Sequence, residues 1–175
     1  MTPSVPVVLP DVLAFMQLLW AVVHGVESRS KRMRSEIGVT GRQRLVLRIV
    51  GLFPHLSAGD LAAVLHVHPS TLTGLLQRLI AQGLLRRVVD ERDRRRVLLS
   101  LTTRGSRINT THAKTVEAAV GAALRGVTAG QRAATREVLL RIAEALGADE
   151  VVASEPPPRS GAGSTEVRRP FGKTR

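Results

Sequence analysis

Seven consecutive charged residues, Asp90 to Arg96, separate two short runs of branched aliphatics: Leu84-Leu85 with Val88-Val89 on one side and Val97-Leu98-Leu99 on the other. The aliphatic runs favour extended chain and the charged block cannot enter a core, so Leu84 to Leu101 reads as a β-hairpin with a charged tip. Arg87, Arg92, Arg94, Arg95 and Arg96 lie at or beside that tip, with Asp90, Glu91 and Asp93 among them. The tip is therefore positive, with carboxylates at hand to orient guanidinium groups. Whatever else the chain does, it must mount this hairpin on an apolar base and leave the tip in water or against a polyanion.

The residues before the hairpin supply the mount. A helix is predicted from about Asp11 to Arg34, because Val12, Phe15, Leu18, Leu19, Val22, Val23 and Val26 recur at three and four. Gly38 closes it, and Thr40-x-x-Gln43 has the spacing of a capping box opening a second helix, which Pro54 ends. A weaker cap at Ser57-Ala-Gly-Asp60 precedes a short helix, Leu61 to Leu65. A three-residue break and Pro69 then start another, Ser70 to Gln82, stopped by Gly83. Two short helices joined by a tight apolar turn at Val67, the second running into a hairpin, form a winged helix-turn-helix. On the second of them Ser70, Thr71, Thr73, Gln77 and Arg78 are left facing outward, a polar surface suited to a helix that enters the major groove.

After the hairpin, Thr102 caps a helix expected to run to about Leu124. Thr128-x-x-Gln131 is another capping box, opening a last helix that ends at Gly147. These helices and the first are more apolar than a winged core of about sixty residues needs, so their stripes are expected to pack against a second copy. From about Ala148 the chain becomes rich in Pro, Gly and Ser without periodicity, and 148–175 reads as a disordered tail.

Charge narrows the partner. The 175 residues carry 26 Lys and Arg against 14 Asp and Glu, a net +12, and only three of the basic residues are lysine. Between Thr40 and Thr102 ten arginines face four acids, a local +6. An excess of planar guanidinium groups on a small domain points to double-stranded nucleic acid. Aromatic platforms for single strands are poorly supplied by Phe15, Trp20, Phe53 and Phe171. There is no cysteine, which removes disulfides and thiolate chemistry and fits the cytoplasm. The start lacks the basic region of a secretory signal, and the apolar run Val12 to Val26 is too short to span a bilayer. No phosphate loop, nucleophile elbow or acid–base pair at a recognisable spacing is present, so an enzyme is not expected, nor is a cofactor.

With this order of elements, the chain resembles the MarR family of transcriptional regulators. The resemblance rests on Val39-Thr40-x-x-Gln43-x-x-Val46-Leu47, Leu61-Ala62, Val67, Thr71-x-Thr73 and Leu79-x-x-x-Gly83-Leu84. Its most specific part is Arg87-x-x-Asp90-x-x-Asp93-x-Arg95, followed by Val97 and Ser100-Leu101-Thr102. It implies a mainly α fold with one small hairpin: a MarR-like domain over 1–147, with a winged helix-turn-helix at 40–102 between dimerisation helices at 10–37 and 103–147. It also implies a homodimeric repressor on a pseudo-palindromic operator, with Arg95 entering the minor groove and Asp93 orienting it. Ser70, Thr71, Thr73, Gln77 and Arg78 carry over as groove and phosphate contacts, and Arg92 and Arg94 as wing contacts. The chain departs from the pattern at Gly74, where relatives often carry a longer polar side chain. Many relatives bind a small anionic or lipophilic effector, for which Trp20, His24, Arg42 and His112 are the candidates here. The missing cysteines exclude the peroxide-sensing mechanism of some relatives. Two alternatives stand beside this reading: a winged-helix adaptor for protein partners, which the basic wing disfavours, and a metal-responsive regulator using histidines.

Overall fold

The computed structural model describes residues 9–91 and 93–148. Its elements are α1 (Asp11–Ile37), α2 (Gly41–Leu52), α3 (Ala58–Leu65), α4 (Pro69–Ala81), β1 (Leu85–Val89), β2 (Val97–Leu101), α5 (Thr103–Thr110), α6 (Val116–Leu124) and α7 (Ala129–Ala143). The fold is mainly helical with one two-stranded antiparallel sheet. The tail expected at 148–175 falls, from residue 149 on, outside the described residues. No helix among the described residues is long and apolar enough to cross a membrane.

Local chemistry sets most of the boundaries. Gly38 ends α1 at φ 79°, a left-handed conformation that costs glycine nothing. Thr40 and Gln43 cap α2 reciprocally: the Gln43 N–H donates to the Thr40 hydroxyl at 3.2 Å and the Thr40 N–H to the Gln43 side chain at 2.9 Å. Ser57 and Asp60 do the same for α3, a full capping box that starts this helix at Ala58 rather than Leu61. Pro69 occupies the first turn of α4, and Gly83, at φ 66°, turns the chain into the hairpin. The strands pair with Leu85 opposite Leu101 and Val89 opposite Val97. A bridge from Ser57 to Leu98 adds a third short edge and ties the hairpin to the start of α3.

The core lies in the winged helix-turn-helix. Val46, Leu47 and Val50 of α2, Leu61 of α3, Leu72, Leu76 and Leu79 of α4, and Leu84, Leu85 and Leu99 of the hairpin are all buried together, and Val67 packs against them from the turn. The flanking helices are different. Met33 is the only buried residue of α1, and no residue of α6 or α7 is buried.

One expectation is corrected. The helix read from Thr102 to Leu124 is two helices, α5 and α6, separated at 111–115. Lys114 takes φ 60°, and the buried Thr115 restarts the helix by accepting the Ala118 N–H. The cause of the break lies outside the segment. Arg44 of α2, wholly buried, donates to the carbonyls of Ile108, Asn109 and Thr111 and to Glu117 Oε1, the last at 2.6 Å. Partial burial alone would raise the Glu117 carboxyl pKa. The Arg44 hydrogen bond, the bond from its own backbone N–H, the Arg44 charge and the Thr115 hydroxyl outweigh that and hold it below the ordinary value.

Two outcomes are expected. A Cβ on Gly105 would drive into the Leu84 carbonyl oxygen, a backbone atom that cannot yield. Gly105→Ala should therefore destabilise the protein by about 3 kcal/mol, read from urea unfolding. Because the Glu117 pKa is depressed, its contribution is complete above the unfolded-state value of about 4.3 and is lost as pH falls through the lower folded-state value. The stability advantage of wild type over Glu117→Gln should thus shrink steadily as thermal melts are taken to lower pH, and a constant difference would contradict the assignment.

Candidate nucleic-acid interface

The interface is built from one face of α4 and the tip of the hairpin. Leu72, Leu76 and Leu79 fix the buried face of α4, so Ser70, Thr71, Thr73, Gln77 and Arg78 are all exposed on the other. Thr73 donates its hydroxyl to the Pro69 carbonyl at 2.9 Å, leaving its oxygen to accept. Ser70 serves the helix start as well: its N–H meets His68 Nδ1 at 3.3 Å and its hydroxyl lies 2.7 Å from the same nitrogen. A Cβ on Gly74 would meet nothing within 4 Å, so glycine here leaves a gap in the polar face rather than relieving a clash.

The wing tip is closed by its own backbone. The Asp90 N–H donates to the Arg96 carbonyl at 3.0 Å and the Arg96 N–H to the Asp93 carbonyl at 2.8 Å. The Asp93 carboxylate accepts the main-chain N–H of Arg95 at 3.0 Å. Asp93 therefore acts on Arg95 through the main chain: it holds the turn from which the exposed Arg95 side chain projects. Arg94 is exposed beside it, and Arg92 lies outside the described residues. Arg96 turns back, its guanidinium 3.5 Å from the Asp60 carboxylate. Sequence reasoning assigned Asp60 only to the cap of α3. Its second partner is thirty-six residues away, and no local pattern signals it.

The four effector candidates lie on α1, at the start of α2 and in the α5–α6 break. Trp20 is 71 % exposed on α1, His24 sits one turn further along with Ser28 Oγ at 3.4 Å, Arg42 is exposed at the start of α2, and His112 is exposed in the α5–α6 break. A groove of about 360 Å³ runs between α1 and α6, with Val22, Val26, Val120 and Ala123 in its walls and Arg29 and Arg32 at its edge. A second cavity, about 340 Å³, lies between the end of α2 and the hairpin, lined by Val50, Pro54, His55, Arg86, Val88 and Leu98 among others. None of the four candidates lines either. Among the described residues no group of three or more His, Asp or Glu side chains comes together to hold a metal.

These elements define a winged helix-turn-helix whose reading helix and wing tip present polar and cationic groups. Residues 37–96 match the model of the MarR family. The chain is 32 % identical over 89 residues to the organic hydroperoxide resistance transcriptional regulator of Bacillus subtilis (strain 168). That match takes in 51 % of this chain and 60 % of the relative, so the chain spans under two thirds of the length of the curated protein it matches. Among solved structures, it resembles a transcription regulator MarR from Oenococcus oeni, with a TM-score of 0.67 and 22 % identity over 74 % of this chain and 98 % of the other. A MepR–DNA complex from S. aureus gives a TM-score of 0.64 and 18 % identity over 78 % and 99 % of the two chains. A mutant MarR from E. coli complexed with operator DNA gives 0.59 and 24 % over 75 % and 95 %. Over its winged helix-turn-helix, residues 37–96, the chain is thus similar to the MarR family, and its fold is that of the winged-helix structures named here.

The closed turn makes a checkable statement about Asp93. Asp93→Ala removes the acceptor of the Arg95 N–H, so amide hydrogen exchange should accelerate across 93–96 while β1 and β2 keep their protection. Uniform acceleration over the whole hairpin would mean that Asp93 supports the strands instead of the turn.

Proposed function

We propose that the protein is a sequence-specific regulator of transcription that binds double-stranded DNA as a homodimer and represses from a pseudo-palindromic operator. The observation that carries this reading is the juxtaposition of an exposed polar helix face on α4 with a wing tip of arginines held in a closed turn. A helix of this kind fits the major groove, where Thr71, Thr73, Gln77 and Arg78 reach base edges and Ser70 reaches phosphate. Arg95 then enters the adjacent minor groove, and Arg94 and Arg92 lie along the backbone. That two of the structural relatives were solved in complex with DNA supports DNA as the partner.

Dimerisation follows from what the monomer leaves uncovered. Val12, Leu18, Trp20 and Val22 on α1, Val120 and Leu124 on α6, and Leu139 on α7 are all at least two-fifths exposed. Exposed apolar side chains in this number on three helices call for a covering surface, and a second copy supplies a self-complementary one. The division of labour is then a reader at 40–102 and dimerising arms at 10–37 and 103–147, working in the cytoplasm where the DNA is. A small anionic or lipophilic effector acts by binding between them. With no cysteine in the chain, that recognition involves no thiol oxidation.

Arg95→Ala should weaken binding to the operator by about 1–3 kcal/mol and lower the slope of log affinity against log salt by about one, with the dimer intact by light scattering. Equal affinity of the wild-type protein for a selected operator and for random duplex would overturn the proposal.

A further inference from the structure

Arg44 is the one fully buried cation among the described residues, and everything it binds belongs to the joint between α5 and α6. We propose that Arg44 and Glu117 are positioning residues for two-site DNA binding: they hold the α5–α6 elbow bent and so fix the angle between each winged helix and its dimerising arm. The inference rests on the dimeric DNA-reader function proposed above.

Nothing in the elbow's own sequence demands a bend. Thr111-His-Ala-Lys-Thr115 contains neither proline nor glycine to force the chain off its course, and Thr115 caps the helix only once the bend is made. In a straight helix the carbonyls of Ile108, Asn109 and Thr111 would accept the N–H groups four residues on. Instead Lys114 is held at φ 60°, a conformation that L-residues with a Cβ avoid. Arg44 binds the carbonyls of Asn109 and Thr111, which lose those partners at the bend, and also that of Ile108, which keeps a tighter bond from the Thr111 N–H at 3.1 Å. A planar guanidinium can serve several acceptors at once, and these lie at the negative end of the α5 dipole. Glu117, in the first turn of α6, closes the remaining side and supplies the countercharge. Arg44 therefore replaces the main-chain donors that bending removes. Without it, the free carbonyls are best satisfied by straightening.

The elbow is also where the two parts of the molecule meet. Arg44 stands on α2, whose Val46, Leu47 and Val50 belong to the winged core. Glu117 stands on α6, whose Val120 and Leu124 form part of the uncovered apolar surface. Smaller contacts brace the same joint: the Val116 N–H points to Met33 Sδ at 3.3 Å, and the Gly41 N–H donates to Ser30 Oγ at 2.8 Å. A change of angle here moves each reader relative to its twin. Binding to the first half-site does not depend on that angle. Binding to the second does, because the effective concentration of the second reader depends on the match between reader spacing and half-site spacing.

Two measurements test this. Duplexes recovered from a random pool by wild-type protein are used as two-site probes, and again with one half-site scrambled, with affinity read by fluorescence anisotropy. Arg44→Met is expected to keep one-site affinity within about twofold and to cut the two-site advantage by about tenfold or more. Arg44→Lys keeps the charge without the fork and should not restore it, while Glu117→Gln should shift the ratio the same way by less. The chain has no cysteine, so Val89→Cys on the wing gives a single spin label per copy. The label-to-label distance in the free dimer should be narrow in wild type and shifted or broadened in Arg44→Met and Glu117→Gln. Unchanged ratios and distances would overturn the proposal, as would equal losses on one-site and two-site probes, which would mark Arg44 as a packing residue only. If Arg44→Met does not fold, Glu117→Gln decides alone. Failure of wild type to select any inverted repeat would defeat the DNA-reader function, whereas the wing-to-wing distance would still decide the role of Arg44.

Discussion

A guanidinium that cannot lose its proton and cannot reach water must be answered by acceptors where it stands, and Arg44 imposes that requirement on the middle of this molecule. Helices are poor at meeting it, since their carbonyls are already bonded along the axis. The chain meets it by breaking a helix. Three carbonyls at the end of α5 turn to Arg44, and the helix restarts from a buried threonine with Glu117 in its first turn. Leaving such a charge unanswered costs about 3–5 kcal/mol, a large share of the stability of a small domain. The bend at 111–115 is thus tied to the integrity of the fold.

That bend separates two regions with different physical characters. The winged part has a closed core drawn from α2, α3, α4 and the hairpin, and it is finished within one chain. The arms bury almost nothing of their own: α1 contributes Met33, and α6 and α7 contribute no buried residue. Polar and charged functions are placed on the finished part, while the apolar surface is left on the unfinished one. A winged part finished within one chain, carried on arms that leave apolar surface uncovered, is the arrangement that the proposed dimeric reader requires.

The sequence made local structure legible where a local interaction causes it. The capping boxes at Thr40 and Thr128, the left-handed stops at Gly38 and Gly83, and the two-sided aliphatic pattern of the hairpin each act within a few residues, and each was readable. The α5–α6 break was not, because its cause sits more than sixty residues upstream on another helix. For the same reason the burial of Arg44, two positions after the exposed Arg42, carries no local signal. A helical pattern places Arg44 beside apolar Val46 and Leu47, but it does not say that a charge on that side is inward and paired.

The wing shows how one residue can serve two levels of structure. Asp60 accepts the Ser57 N–H and hydroxyl, which fixes the start of α3, and its carboxylate also faces Arg96 at the tip of the wing. A partly exposed pair at 3.5 Å contributes little to stability, about 0–1 kcal/mol. Its value lies in direction. Arg96 drawn back toward Asp60 leaves Arg94 and Arg95 as the guanidinium groups that project from the described part of the tip. The bridge between Ser57 and Leu98 sets the hairpin against the same turn. The start of the helix-turn-helix and the wing are therefore one unit, so α4 and the wing tip are held in a fixed relation.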